Sequence, residues 1–171
     1  MFKLRLFLGI FLVSTLSLPH ISAQSSPASL PANIRQSMQA LGELELYMID
    51  IEQTKSTWNC SKPVNISRNA GYDNQPVFSP DNRFVYYVSM RESAQTDVYR
   101  YNIKDSSTMQ ITNTPESEYT PSIMPSDGKS IVVVRVEPDS TQRLWRFDAN
   151  GSNPTLLLDS VKRVGYYGWL G

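Results

Sequence analysis

The amino-acid sequence predicts an all-β fold, an incomplete β-propeller built from blades of four antiparallel strands. The first observation behind this prediction is an internal repeat, because two similar segments begin 45 residues apart, at Asn65 and at Gln110. Three pairs of residues recur at that spacing: Ile66 and Ile111, Pro76 and Pro121, and Pro80 and Pro125. The second observation is that each copy contains four short runs with strand character. About 40–50 residues with four antiparallel strands are typical of a propeller blade, since stacked blades cover the faces that one sheet cannot bury alone.

The first two strands of each blade are predicted from a turn and from the apolar run that follows it. The inner strand of the first copy is predicted at 76–79, since Pro is tolerated at the start of a strand. A Pro-Asp-Asn turn at 80–82 then reverses the chain. β-Branched and aromatic residues at 84–88 and at 131–134 predict second strands that are covered on both faces.

The outer two strands of each blade are predicted at 98–103 and 110–112, and again at 144–147 and 155–158. The two sheets therefore cover about 75–112 and 121–158. We expect the inner faces of these sheets to pack through Val85, Tyr87, Val132 and Val134.

Partial copies of the repeat flank the two full ones. Residues 46–50 match 98–102, and the sequence VGYYGWLG from Val164 takes the place of the next inner strand. The chain thus holds about two full blades and two partial ones, whereas propellers have about 4–8 blades. We predict that the chain is a fragment or a prematurely ended reading frame. The alternative is a half-propeller that closes by association.

The first 23 residues are predicted to be a secretory signal peptide. Two basic residues, Lys3 and Arg5, precede an apolar run at 6–16, and the small residue Ala23 stands just before Gln24. This order is typical of an export signal that is cleaved after Ala23. The apolar run is shorter than the roughly 20 residues that span a bilayer, so an uncleaved membrane anchor is the weaker alternative.

Cleavage after Ala23 divides the chain into a 1–23 signal peptide, a 24–43 linker or short helix, and a 44–171 propeller domain. Helical spacing of apolar residues places the short helix at 33–41. The mature chain is predicted to be periplasmic or secreted, without stable insertion in the membrane.

Composition argues against several classes of function. Cleavage removes two of the 16 basic residues and none of the 16 acidic ones, which leaves no basic field for nucleic acid. It also removes the one histidine, His20, and the sequence contains no Gly-x-Ser-x-Gly motif, so neither a Ser-His-Asp nor a Cys-His site can form. We predict no enzyme activity, no cofactor and no catalytic or metal-binding residues. The lone Cys60 cannot form an internal disulfide, and it is either a buried small apolar residue, which is the favoured interpretation, or a loop thiol.

The repeat resembles that of TolB-like β-propellers, a WD-repeat-like family. The resemblance covers about 45–171 and rests on FSPDN at 78–82, DVY at 97–99 and IT at 111–112. Asn82 replaces the usual turn glycine, and the second copy has MPSDG at 124–128 without the Phe. The resemblance implies a non-catalytic protein that contacts protein partners through a propeller face, in envelope assembly. Two alternatives stay open: the propeller part of a prolyl-oligopeptidase-like hydrolase, and a carbohydrate-binding propeller.

Several acidic residues are candidates for a binding site, although the partner stays unknown. Asp73, Glu116 and Glu118 are expected in equivalent loops before the inner strands, where they could bind a cation or a basic peptide, or simply be solvated. Asp81 and Asp127 resemble calcium ligands, but turn formation is the favoured interpretation.

Arginines and tyrosines also recur with the repeat. Arg100 and Arg146 each stand between two aromatic residues and are expected to form a buried pair with an acid of the next blade, or to bind a ligand. Four tyrosines before the inner strands are expected to pack between blades, or else to stack on sugars: Tyr72, Tyr119, Tyr166 and Tyr167. Asn59 and Asn65 begin N-x-S sequons.

Overall fold

The computed structural model describes residues 2–11, 44–53, 55, 57–69, 71–91 and 95–170, with the backbone alone for 2–11. These residues form strands and turns without a helix, so the all-β prediction is confirmed. The predicted cleavage site after Ala23 and the predicted helix at 33–41 lie outside the described residues. The strands are β1 (Phe2–Phe11), β2 (Leu44–Gln53), β3 (Trp58–Cys60), β4 (Val64–Asn65), β5 (Tyr72–Phe78), β6 (Phe84–Met90), β7 (Asp97–Asn102), β8 (Thr108–Gln110), β9 (Ser117–Ile123), β10 (Ile131–Val136), β11 (Gln142–Phe147) and β12 (Thr155–Leu156).

Two complete blades occupy the centre of the chain. Strands β5, β6, β7 and β8 form the first blade in that order, and β9, β10, β11 and β12 form the second, with every neighbour antiparallel. The central pair of the first blade is regular from Phe84 opposite Asn102 to Ser89 opposite Asp97. The strands of each blade lie side by side in the order in which they follow along the chain, which is the meander that the repeat predicts.

The inner strands begin earlier than predicted, at Tyr72 and Ser117 rather than near the prolines. Gln75 and Thr120, which are 45 residues apart, both have a positive φ, at 55° and 48°. Each lies at a break in the pairing with the second strand, and beyond that break the polar residues pair again. The Gln75 side chain also accepts a 2.7 Å hydrogen bond from the Thr120 amide, so the two bulges contact each other. Polar composition before the bulge resembled a loop, which explains the wrong boundary.

Incomplete sheet structure flanks the two blades. Strand β2 pairs antiparallel with β3 and β4, and also with β1 along ten residues. It joins the first blade through a single parallel pair, Leu44 and Tyr72. After the second blade, residues 157–170 contain no strand, but Val164 donates its amide hydrogen to the Gln142 carbonyl at 3.1 Å.

Three apolar clusters pack against the faces of the two blades. Val85 and Tyr87 pack on β2 and its neighbours, through Leu46, Met48 and Ile66. The second cluster lies between the two blades. It includes side chains on the opposite face of each sheet from Val85 and Val132, and its members are Tyr86, Val98, Ile111, Ile123, Ile131, Val133 and Phe147. Val132 and Val134 lie on the far face of the second blade, against Val164 and Tyr167.

The prediction of which residues form the contact between the blades was therefore wrong, because those residues lie on the opposite faces of the two sheets. Successive strand residues point to opposite faces, and Val85 and Val132 face away from the shared interface. The sequence could not show which residues of β6 and β10 face the neighbouring blade, because both faces of these strands are apolar and buried. The outer faces of the blades carry the first and third clusters.

Candidate functional site

The two ends of the blades differ in their polar side chains. At one end, Asp97 begins β7 and Glu118 lies in β9, and both carboxyl groups are buried. We call Asp97, Thr112, Thr114, Glu118 and Arg135 the acidic cluster. Because Asp97 belongs to the first blade and Glu118 to the second, this cluster joins the two blades.

Threonine hydroxyl groups connect the two carboxylates of the acidic cluster. The Thr112 hydroxyl accepts the Val98 amide hydrogen at 2.8 Å and lies 3.0 Å from Glu118 Oε2 and 3.4 Å from Asp97 Oδ1. Thr114 donates to Glu118 Oε1 at 2.5 Å. A hydroxyl has one hydrogen, so Thr112 can donate to only one of the two carboxylates at a time.

Burial disfavours the charged form of both acids. It raises the pKa of Glu118 to about 7, and the neighbouring Asp97 carboxylate adds to the rise, while hydrogen bonds from Thr114 and Thr112 and the charge of Arg135 oppose it. Burial likewise raises the pKa of Asp97. The Arg135 guanidinium lies 3.6 Å from Glu118 Oε1 and also pairs with Glu116. One cation therefore pairs with two neighbouring acids.

Two features of this arrangement recur one repeat earlier, a hydroxyl group that accepts a backbone amide hydrogen and a buried acid, which indicates a structural role. Ser67 stands 45 residues before Thr112, and its hydroxyl accepts the Leu46 amide hydrogen at 3.0 Å as Thr112 accepts that of Val98. Asp73 stands 45 residues before Glu118 and is also buried, which raises its pKa against the opposing influence of Ser89 and Arg91. An acid at this end of the blade is therefore buried in both repeats.

The acidic candidates from the sequence are thus placed differently from the expectation. Asp73 and Glu118 lie within β5 and β9 and are buried, so they are not solvated loop residues. Glu116 is bound by Arg135. No group of three or more potential metal ligands occurs among the residues that the structure describes. The acidic cluster is therefore packed rather than open to a ligand.

The other end of the blades carries an open groove of about 240 Å³ between the two blades. We call it the basic groove. Its cations are Arg83, Arg100 and Lys129, against the single carboxylate of Asp81, and its apolar lining is Pro80, Phe84, Tyr86, Ile123 and Ala149. The first blade supplies Arg83 and Arg100 and the second supplies Lys129, so the groove requires the two blades to be stacked.

Arg100 is held at the groove by an aromatic ring. Its guanidinium carbon lies 4.6 Å from the centroid of the Phe84 ring, a favourable cation–π distance. Arg83 lies near the same ring, at 5.6 Å, and forms a 2.6 Å ion pair with Asp81. The expected buried pair between Arg100 and an acid of the next blade is not formed with any residue in the described ranges. Arg146 instead lies 3.4 Å from Asp148 of its own blade.

Asp81 and Asp127 form turns, as the sequence favoured. Asp81 accepts the Ser79 hydroxyl hydrogen at 2.7 Å and the Arg83 amide hydrogen at 3.1 Å. Asp127 accepts the amide hydrogens of Lys129 at 2.8 Å and Ser130 at 2.9 Å. The Ser130 hydroxyl also donates to Asp127, at 2.5 Å, and hydrogen bonds led by those from the Ser79 and Ser130 hydroxyl groups lower the pKa of both aspartates to about 2. The carboxylates are occupied within the turns, which leaves them unsuited to calcium.

The recurring tyrosines divide between packing and exposure. The Tyr167 hydroxyl lies 2.7 Å from the Ser122 hydroxyl and 2.7 Å from the Val132 carbonyl oxygen, and burial raises its pKa to about 12. Tyr119 packs in the same cluster. Tyr72 accepts a 3.1 Å hydrogen bond from Asn74, whereas Tyr166 is 81% exposed. Packing therefore accounts for Tyr167 and Tyr119.

Two smaller expectations are also decided by exposure. Cys60 is exposed, so the prediction of a buried thiol was wrong, because β3 lies at the rim of the sheet rather than in a blade. Asn59 is exposed in the same strand. The Asn65 side chain instead bonds Glu45 and accepts the amide hydrogens of Ser67 and Arg68.

Sequence reasoning missed the basic groove, although a signal was present. Arg83 and Lys129 occupy the equivalent position after the turn of each copy, and Arg100 lies between aromatic residues. What the sequence could not show is that a lysine from one blade and an arginine from the preceding blade line a common groove.

No protein-family model matches the chain. An uncharacterized protein of Agrobacterium fabrum is 26% identical over 122 residues, which is 67% of this chain and 39% of that protein. The chain therefore spans about two fifths of the length of this relative.

Two solved structures share the fold. A protein from Agrobacterium tumefaciens provisionally named TolB aligns with a TM-score of 0.52 at 18% identity, over 71% of this chain and 58% of that one. TolB from Acinetobacter baumannii aligns with a TM-score of 0.53 at 19% identity, over 68% of this chain and 27% of that one. The fold is thus TolB-like. Among the described residues, no helix combines the length and apolarity needed to cross a membrane.

Proposed function

We propose that this chain is an exported, non-catalytic β-propeller protein that binds a protein partner in the periplasm or cell envelope. The observation that carries the proposal is the fold shared with two solved TolB structures. The sequence resemblance of the repeat to TolB-like propellers supports the same class of protein. Location and partner class are inferred by analogy, because one fold can serve several functions.

The side chains of the described blades suit binding better than hydrolysis. Ser79, which lines the basic groove, donates its hydroxyl hydrogen to Asp81 and accepts the Phe84 amide hydrogen at 3.0 Å. This hydroxyl is engaged in forming a turn, and the carboxylate that accepts its hydrogen, Asp81, has a pKa lowered to about 2, which makes it a poor general base for a nucleophile. The buried carboxylates of the acidic cluster are enclosed by threonines and Arg135. The open groove offers cations and aromatic surface, which are typical of protein contacts.

Export is tested by cell fractionation of the full chain carrying a C-terminal tag. The signal peptide predicts that the tagged protein is in the periplasmic or secreted fraction and that its N-terminus is Gln24. A tagged protein that begins at Met1 and remains in the cytoplasm would contradict the proposal.

Partner binding is tested by site-specific photo-cross-linking in the native host. A photoreactive residue is placed at Ala149 on the basic groove and, separately, at the exposed Asn113 near the acidic cluster. The proposal predicts a discrete adduct with another envelope protein from at least one position. Ester or peptide hydrolysis that depends on a serine of this chain, with no adduct at either position, would overturn it.

A further inference from the structure

We infer that the basic groove is the contact site for an acidic peptide segment of the protein partner. This inference rests on the proposed function, and it assigns that function to a place on the molecule. A carboxylate of the partner would bind among Arg83, Arg100 and Lys129, and an adjacent apolar side chain would contact Phe84 and Ile123. These groups come from two stacked blades, so the site is formed by the folded surface of both blades rather than by a single loop.

Charge is the first argument for an acidic ligand. Three cations and one carboxylate line the groove, and the Arg83–Asp81 ion pair neutralises one of the cations internally. Within the described residues, Arg100 and Lys129 have no carboxylate at ion-pairing distance. The stacking of Arg100 on Phe84 holds its guanidinium in place, which reduces the entropy that a ligand would have to overcome.

The apolar lining is the second argument, and it favours a peptide over a small inorganic anion. Phe84, Tyr86 and Ile123 provide aromatic and aliphatic surface beside the cations. A peptide with an acidic residue next to an aromatic or aliphatic one can use both kinds of surface. Free phosphate gains nothing from the apolar part of the groove.

The turns beside the groove also disfavour phosphate. Phosphate sites in proteins commonly use several free backbone N–H groups. Here the amide hydrogens of Arg83, Lys129 and Ser130 are already donated to Asp81 and Asp127. Recognition in the basic groove therefore depends on side-chain cations, which suit a carboxylate.

The test measures binding of a fluorescent eight-residue peptide that alternates glutamate and phenylalanine, with the full chain. The matched peptide carries glutamine instead of glutamate. We expect only the glutamate peptide to bind, and more weakly as salt rises. Lys129→Gln and Arg100→Gln should each weaken binding about two- to fivefold, as solvent-accessible ion pairs do.

The matched control is Lys62→Gln, which removes an exposed lysine that does not line the groove and should leave binding unchanged. Lys129 is exposed on a turn, so its variant tests the site without risk to the fold. Arg100→Lys should restore part of the affinity that Arg100→Gln loses. Equal binding of the two peptides, or no effect of Lys129→Gln, overturns the assignment. Inorganic phosphate or phosphatidylglycerol vesicles that bind in place of the peptide would overturn it as well.

The outcomes separate this inference from the proposed function. If the peptide does not bind but Asn113 cross-links to an envelope protein, the groove assignment fails and the proposed function stands. If the chain is cytoplasmic and neither Asn113 nor Ala149 forms an adduct, the proposed function itself fails.

Discussion

The two ends of the blades use charged side chains in opposite ways. In the acidic cluster, Glu118 is fully buried and its two oxygens are bonded to threonines of the same molecule. In the basic groove, Lys129 is exposed and no carboxylate of the described chain lies within ion-pairing distance of it. A buried polar group that is fully bonded stabilises and specifies a fold, whereas an unpaired exposed cation beside apolar surface is available to a partner. The comparison therefore assigns stability to one end and the proposed binding to the other.

The largest expected effect comes from removing the hydroxyl that connects the acidic cluster. Thr112→Val should lower the free energy of unfolding by about 3 kcal/mol, because it leaves the Val98 amide hydrogen and a Glu118 oxygen without their partner. Chemical denaturation measures the change. The matched control is Thr155→Val, at an exposed position of β12, which should change stability by less than about 0.5 kcal/mol. Equal effects of the two substitutions would contradict a structural role for the cluster.

The next effect is a loss of stability as pH rises. The pKa of Glu118 is raised from 4.5 to about 7 in the folded chain, so folding favours its protonated form. Its stabilising contribution is complete below about pH 4.5 and is lost as pH rises through 7, which amounts to about 3 kcal/mol. Denaturation at pH 5 and pH 8 measures the difference.

Glu118→Gln is the matched variant for this pH dependence. Glutamine keeps the shape and a hydrogen-bond acceptor but does not titrate, so the fall in stability between pH 5 and pH 8 should become shallower. Asp81 and Asp127 act in the opposite direction, since their pKa is lowered to about 2 and their contribution is lost only as pH falls below about 4. A variant with the same slope between pH 5 and pH 8 would refute the assignment to Glu118.

Exposed apolar surface at the end of the described chain predicts self-association. Tyr166 is 81% exposed and Leu170 is fully exposed, in a segment that lies beside the second blade without a strand partner. Exposed apolar patches promote association between molecules. Residues 24–171 should therefore sediment as oligomers or aggregates, and the double substitution Tyr166→Lys and Leu170→Lys should shift them toward monomer. A stable monomer of the unsubstituted 24–171 chain would show that this exposed surface does not drive association.

The smallest expected effect is the change in the stability of the chain that follows a substitution in the basic groove. Lys129→Gln should change the free energy of unfolding by less than about 0.5 kcal/mol, because Lys129 is exposed and makes no ion pair with the described chain. Thermal unfolding against the unsubstituted chain measures it. A loss of 2 kcal/mol would mean that the groove, like the acidic cluster, serves the fold.

Much of the fold could be predicted from the sequence, because the repeat and the turns fix where the strands lie. Pro80-Asp81-Asn82 and its counterpart at 125–128 mark the same turn in each blade. Which face of each strand points toward the neighbouring blade could not be predicted. Strands β6 and β10 are apolar on both faces, so apolar and polar residues do not alternate along them.

The candidate site was less accessible to sequence reasoning. Glu118 lies among polar residues, so it resembled a loop acid, and its burial depends on Thr112 and Thr114 of the preceding connection. The 45-residue spacing of Ser67 and Thr112, and of Asp73 and Glu118, was the available signal. The basic groove depends on how the second blade is placed against the first, which no local pattern specifies.

The division of roles between the two ends is tested most directly by measuring two properties in the same two variants. Lys129→Gln and Thr112→Val are each compared with the unsubstituted chain for unfolding free energy and, at a temperature where both are folded, for binding of the glutamate–phenylalanine peptide. The account predicts that Lys129→Gln weakens binding at unchanged stability, and that Thr112→Val lowers stability at unchanged affinity. If Thr112→Val weakens binding while Lys129→Gln does not, the roles of the acidic cluster and the basic groove are the reverse of those assigned.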